Sequence, residues 1–202
     1  IPRHQEGEKI SFPQSPAIMA TTVLTLLADG FEEIEATTPI DLLRRADAEV
    51  LVASCSDNLE ITGRSQIILR ADCLLTGIED PLTFDLLVLP GGPAVFGLRK
   101  RPEIINLIRD FANSGKPIGA ICAAPLLLLD AGLITPDSAC TAHGSTGDEI
   151  PQLSPNQPVI QDGQLITSRG AGTAVEFGLA LIKKLFGPEK ENEIRSSIHA
   201  DL

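Results

Sequence analysis

From Thr22 onward the chain alternates short apolar runs with segments of helical periodicity, and this alternation restricts its fold more than any other feature. "TVLTLLA" (Thr22–Ala28) is a β-rich run. "EEIEATTPIDLLRRA" (Glu32–Ala46) has apolar Ile34, Ile40 and Leu43 at helical spacing, acids in its first turn and arginines in its last. That charge order suits the helix dipole. "EVLVAS" (Glu49–Ser54) and "FDLLVLP" (Phe84–Pro90) read as strands, the second apolar throughout, as a strand covered on both faces is. "PEIINLIRDFANSG" (Pro102–Gly115) is an amphipathic helix with Pro near its start and Gly at its end. "PIGAI" (Pro117–Ile121), a Leu-rich helix after Cys122 and a short strand near Ser138–Thr141 follow. "VIQDGQLITS" (Val159–Ser168) reads as a hairpin turning at Asp162-Gly163. "GTAVEFGLALIKKLFG" (Gly172–Gly187) is a strong helix, and a shorter polar helix starts at Pro188. Strands alternating with helices predict a mostly parallel sheet with helices on both faces.

In such sheets ligands bind beyond the carboxyl ends of the strands. Three predicted strands end in loops of small or reactive residues: "ADGFEEIE", "PGGP" (Pro90–Pro93) and "CAAP" (Cys122–Pro125). If these strands are neighbours, Glu35, Gly91, Gly92 and Cys122 meet at one rim. A strand-to-helix turn presents its side chain on a tight bend, as in the nucleophile elbow of hydrolases. The helix N-terminus behind it favours an anion and predicts a lowered thiol pKa for Cys122.

The net charge of −11 repels phosphate backbones, and seven Phe without Trp or Tyr offer little surface for stacking bases, so nucleic-acid binding is not expected. Cys55, Cys73, Cys122 and Cys140 are not spaced for zinc or for a disulfide framework. A reducing, cytoplasmic setting follows, with no membrane segment, since no apolar run reaches about 20 residues. Residues 1–18 are polar, proline-punctuated and aperiodic. They read as an N-terminal extension or a remnant foreign to the domain, and residues 19–202 as one domain, with the only methionine, Met19, as its natural start. His4 and His199 lie in terminal segments and are assigned no chemistry.

"LPGG", "GAICAAP", "ADGFEEIEATTPIDLLRRA" and "LITSRGAGTAVEFGLALI" occur in an order that resembles the ThiJ/PfpI superfamily, and within it the parkinsonism-associated deglycase branch. The resemblance runs from about Thr22 to Gly187. It implies a flavodoxin-like three-layer α/β sandwich related to class I glutamine amidotransferase domains, and a homodimer. It also implies reactive Cys122, a carboxyl partner in Glu35 and a nearby His143. Backbone N–H groups of Gly92 and Ala123 would form an oxyanion pocket beside the Gly91-Gly92 turn, with Arg169 and Gly170 flanking it. On its own Glu35 reads as an exposed first-turn acid like Glu32 and Glu33. The resemblance turns it inward, because Ile34 and Glu35 cannot share a face. Gly144 and Ala171 depart from the prolines the family often carries after the histidine and after Arg-Gly.

The implied chemistry is cofactor-free attack of the Cys122 thiolate on a small 2-oxoaldehyde such as methylglyoxal, giving lactate, with possible reversal of early glycation adducts. Glu35 would shuttle the proton. An alternative is a non-enzymatic redox sensor or chaperone in oxidative stress, acting through oxidation of Cys122 to sulfinic acid. A protease reading is weakened by Ala123, where the superfamily's peptidases carry histidine. An amidotransferase reading is weakened by "TSRGAGT", which lacks a histidine-x-glutamate. For the dimer, the expected contact is the face carrying Ile40 and Leu43, with Arg64 reaching toward the partner's site.

Overall fold

The computed structural model describes residues 20–200. The proposed N-terminal extension, Met19 and His4 lie outside the described residues. Seven strands form one sheet in the order β5-β2-β1-β6-β7-β9-β8. They are β1 (Thr22–Leu27), β2 (Glu49–Ser54), β5 (Cys73–Leu74), β6 (Leu86–Leu89), β7 (Ile118–Ile121), β8 (Val159–Asp162) and β9 (Leu165–Ser168). All neighbours pair in parallel except β8 with β9, the predicted hairpin, in which Asp162 faces Leu165. A separate antiparallel pair, β3 (Glu60–Thr62) and β4 (Ile68–Arg70), stands outside this sheet.

Helices cover both faces. Helices α1 (Glu33–Arg45), α5 (Ala174–Phe186) and α6 (Pro188–Ser197) lie over one face, where Leu43, Ile61, Phe177 and Leu181 are fully buried. Helices α2 (Ala94–Leu98), α3 (Pro102–Asn113) and α4 (Pro125–Asp130) lie over the other, around Ile104, Ile108 and Phe111. Strands β6 and β7 are buried along their whole length, which explains their unbroken apolar sequences.

Two expectations fail here. No strand forms at Ser138–Thr141. Its backbone groups are taken by other partners: Ala139 N–H donates to Asp162 (3.0 Å), Thr141 N–H to the Thr167 hydroxyl (3.0 Å), and the Cys140 carbonyl accepts from Ser154 N–H (3.0 Å). Ile40 and Leu43 cannot form a dimer face, because they are 9% and 0% exposed within the core of this chain. The exposed apolar residue of α1 is Ile34, at 51%.

The chain places β2 on one side of β1 and then β6 on the other. Loops after β1, β6 and β7 therefore emerge side by side at the carboxyl edge, where α/β sheets build their sites.

Candidate functional site

Cys122 follows the last residue of β7 and is one of the few non-glycine residues with a left-handed backbone, φ +65°. Such a conformation costs on the order of 1–3 kcal/mol and persists only where its surroundings enforce it. Two backbone hydrogen bonds do so. Cys122 N–H donates to the Ser168 carbonyl (2.9 Å), and the Cys122 carbonyl accepts from His143 N–H (2.8 Å). The thiol is thus set at the tip of a tight strand-to-helix bend, half-buried.

Glu35 lies in the first turn of α1 and is 1% exposed, while its neighbour Ile34 points out. Glu32 caps the helix by accepting Glu35 N–H (2.8 Å), which fixes that turn. The Glu35 carboxylate accepts from Gly91 N–H (3.1 Å). Gly91 must be glycine for this approach. A Cβ there would lie 2.5 Å from Glu35 Oε2, 2.6 Å from Cys122 Cβ and 2.8 Å from the Ile121 carbonyl. Gly92 adopts φ +94°, and a Cβ on it would lie 2.5 Å from the Gly30 carbonyl, so the loops after β1 and β6 touch through bare backbone.

His143 begins a 3-10 turn after the irregular segment that replaces the expected strand. Its Nδ1 accepts Ser145 N–H (3.2 Å) and lies 2.8 Å from Ser145 Oγ, which assigns the proton of a neutral ring to Nε2. Glu35, Cys122 and His143 converge beside Gly170. From the point where a Gly170 Cβ would stand, Glu35 Oε1 is 3.6 Å away, and Cys122 Cβ and His143 Cδ2 are each 3.9 Å away. Gly170 is held by Thr173, whose hydroxyl accepts Gly170 N–H (3.2 Å) and lies 2.7 Å from Ser168 Oγ. Arg169 turns from this point toward an open cavity of about 270 Å³, where it donates to the Pro155 carbonyl (2.9 Å). Ala142, Leu153 and His143 line the same cavity, so His143 belongs to both the cavity and the cysteine cluster.

The electrostatics revise one expectation. Burial pushes the Glu35 carboxyl up to about 7, helped by the charge of Glu32 and opposed by hydrogen bonds from the Cys122 thiol and the N–H groups of Gly91 and Ala171. The thiol is not lowered, as the helix N-terminus suggested. Burial pushes Cys122 up to about 12, with the Glu35 charge and the hydrogen bond to Glu35 adding to it. N–H groups of Gly92 and Ala123 pull the other way and are outweighed. Burial likewise raises Cys55, Cys73 and Cys140.

Sequence reasoning missed Glu32, because glutamate is not among the usual capping residues, and Ser168 and Thr173, whose role depends on a register between β7 and β9. Among the described residues, no three His, Cys, Asp or Glu side chains cluster to hold a metal, and no helix is long and apolar enough to cross a membrane.

Comparison with known proteins agrees with this fold. The DJ-1/PfpI family model matches residues 21–184. Protein DJ-1 homolog B of Arabidopsis thaliana is 39% identical over 83% of this chain and 39% of its own length. The chain spans less than half the length of the Arabidopsis relatives it matches. A Caenorhabditis elegans protein, glutathione-independent glyoxalase DJR-1.2, is 33% identical over 88% of this chain and 95% of its own. The structure of oxidized Toxoplasma gondii DJ-1 superposes with a TM-score of 0.84 at 31% identity, covering 91% of this chain and all of that one. With the family model matching residues 21–184 and the overall fold in agreement, this chain belongs to the DJ-1/PfpI family.

Proposed function

We propose that the protein converts small 2-oxoaldehydes, methylglyoxal foremost, into 2-hydroxy acids at Cys122 without glutathione. The observation that carries this reading is the convergence of Glu35, Cys122 and His143 beside Gly170. The Glu35 carboxyl interacts with the resting thiol, so the base that must take its proton is already beside it. As sulfur bonds to the aldehyde carbon C1, the thiol proton passes to Glu35, and the new alkoxide is met by the N–H groups of Gly92 and Ala123. Alkoxide and Glu35 then rebalance the proton to leave a neutral hemithioacetal and a free carboxylate.

That carboxylate removes the hydrogen on C1, forming an enediolate, and returns the proton to C2 as the C1 hydroxyl proton passes to the C2 oxygen. C1 is thereby oxidised to a thioester while the C2 ketone is reduced to an alcohol. Water cleaves the thioester, releasing lactate and the Cys122 thiol. The sum is methylglyoxal plus water to lactate, with no external oxidant or reductant. A base with a pKa near 7 suits both proton transfers at neutral pH. His143, with Nε2–H as donor, is positioned to assist at the cavity edge. The related nematode glyoxalase lends this reading support. Reversal of early glycation adducts would use the same hemithioacetal chemistry. The protein is expected to work as a homodimer in the cytoplasm.

Lactate production from methylglyoxal in glutathione-free buffer tests the role of Glu35. Glu35→Gln should reduce turnover at least about 100-fold, the range general-base catalysis contributes. Wild-type turnover in that variant would contradict it.

A second reading, oxidation of Cys122 to sulfinate, draws on the same carboxyl. Near its pKa of about 7, Glu35 is protonated in a large share of molecules and can donate to a sulfinate oxygen. Two equivalents of peroxide supply the two oxygens and leave as water.

A further inference from the structure

We propose that Arg99 is a positioning residue that holds the oxyanion loop, the cysteine bend and the His143 segment in one arrangement. Its guanidinium joins two carboxylates from distant parts of the chain. Nε and Nη2 donate to the two oxygens of Asp130 (2.6 and 2.8 Å). Nη1 and Nη2 donate to the two oxygens of Glu149 (2.8 and 2.6 Å). Arg99 is 20% exposed at its side chain, Asp130 25% and Glu149 45%, so the first pair is largely shielded from water. Exposed single ion pairs contribute little, but a doubly bidentate guanidinium fixes geometry as well as charge.

Arg99 and Asp130 end helices that follow loops of the site, and Glu149 lies in the turns that follow His143. Arg99 caps the C-terminus of α2, which begins two residues after Gly92. Asp130 is the last residue of α4, which begins three residues after Cys122. Glu149 is connected to His143 by a chain of turns. Its N–H donates to the Thr146 carbonyl (3.0 Å), and Thr146 donates to the His143 carbonyl from both its N–H (2.9 Å) and its hydroxyl (2.8 Å). Thr146 is 2% exposed and Ile150 fully buried, so this relay is packed. His143 N–H in turn holds the strained Cys122 backbone. Without Arg99, Asp130 and Glu149 would face each other as unpaired like charges and drive α4 and the His143 segment apart.

The inference rests on reading Cys122, Glu35 and His143 as one site, but its test needs no aldehyde. The side-chain NMR signals of His143, one of only three histidines, and the rate of Cys122 alkylation by iodoacetamide are measured in wild type, Glu149→Gln, Arg99→Met and the double variant. The clamp predicts that Glu149→Gln shifts or broadens the His143 signals and changes the Cys122 alkylation rate by about threefold or more. It also predicts that Arg99→Met adds little to the His143 change once Glu149→Gln is present. Arg99→Lys, which keeps the charge but loses the fork, should fall between wild type and Arg99→Met. His143 signals and alkylation at wild-type values in both single variants, with only the melting temperature lowered, would overturn the proposal. Should Arg99→Met fail to fold, Glu149→Gln decides, since it leaves the Arg99–Asp130 pair intact. Should Cys122 resist alkylation in every variant, the His143 signals still decide the clamp, and only the reading of the site fails.

Discussion

The Cys122 thiol and the Glu35 carboxyl interact at the Gly91 turn, and this one contact lowers the proton affinity of Glu35 while raising that of Cys122. Burial, the larger effect on both, leaves Glu35 near 7 and Cys122 near 12. Near neutral pH the resting site therefore holds a protonated thiol beside a half-protonated carboxyl.

Glu35→Gln should accelerate alkylation of Cys122 while reducing turnover at least about 100-fold. The substitution removes the negative charge that disfavours the thiolate and leaves the N–H groups of Gly92 and Ala123 in place. The apparent pKa from iodoacetamide rates against pH should fall below the wild-type value. An unchanged or higher value would show that the Glu35 charge does not control the thiol.

Stability should carry the mark of the same carboxyl. The folded-state pKa of Glu35, about 7, lies above its ordinary 4.5, so the folded chain holds this proton more tightly than the unfolded one. Its contribution is fully present below about 4.5 and is lost as pH rises to about 7. A shift of that size corresponds to on the order of 3 kcal/mol. Chemical denaturation between pH 4.5 and 7.5 should show Glu35→Gln gaining stability relative to wild type as pH rises. A pH-independent difference would contradict the raised pKa.

Gly91→Ala should damage fold and site together. Its new methyl would meet Glu35, Cys122 and the Ile121 carbonyl at 2.5–2.8 Å, and the last is backbone that cannot swing away. A loss of about 1–3 kcal/mol in denaturant titration is expected, with a large fall in turnover. Full stability would mean that the loop after β6 relaxes freely.

Much of this architecture was legible in the chain. The alternation from Thr22 to Phe186 carried the parallel sheet, because buried strands such as Leu86–Leu89 and amphipathic helices such as Pro102–Asn113 leave different periodic traces. The meeting of Glu35, Gly91 and Cys122 followed from strand-end loops and the family resemblance. Short elements were not legible. The strand β5 has two residues, and the β3–β4 pair takes its order from long-range contacts such as Gly30 N–H to the Thr62 carbonyl (2.8 Å). The thiol's raised pKa was also hidden, since burial and a neighbouring charge are properties of the assembled site. Arg99, Asp130 and Glu149 look like ordinary surface charges until the fold brings them together.

The exposed apolar residues Ile34, Ile67 and Ile68, at 51%, 55% and 59%, replace Ile40 and Leu43 as the expected dimer contact. Ser65 N–H donates to Glu33 (2.6 Å), which ties the β3–β4 turn carrying Ile67 and Arg64 to the start of α1. Among the described residues Glu33 Oε2 is buried without a hydrogen-bond partner, an acceptor that a donor from a second copy would satisfy. Sedimentation at micromolar concentration should show a dimer for wild type and a monomer for Ile34→Asp. A wild-type monomer would sink the dimer reading.

Conversion of methylglyoxal to lactate by wild-type protein and by Cys122→Ser, at equal concentrations of folded protein and without glutathione, tests the account most directly. It predicts steady lactate formation by the wild type and none above the uncatalysed rate from Cys122→Ser. Lactate formed equally by both, or by neither, would contradict Cys122 as the reacting group.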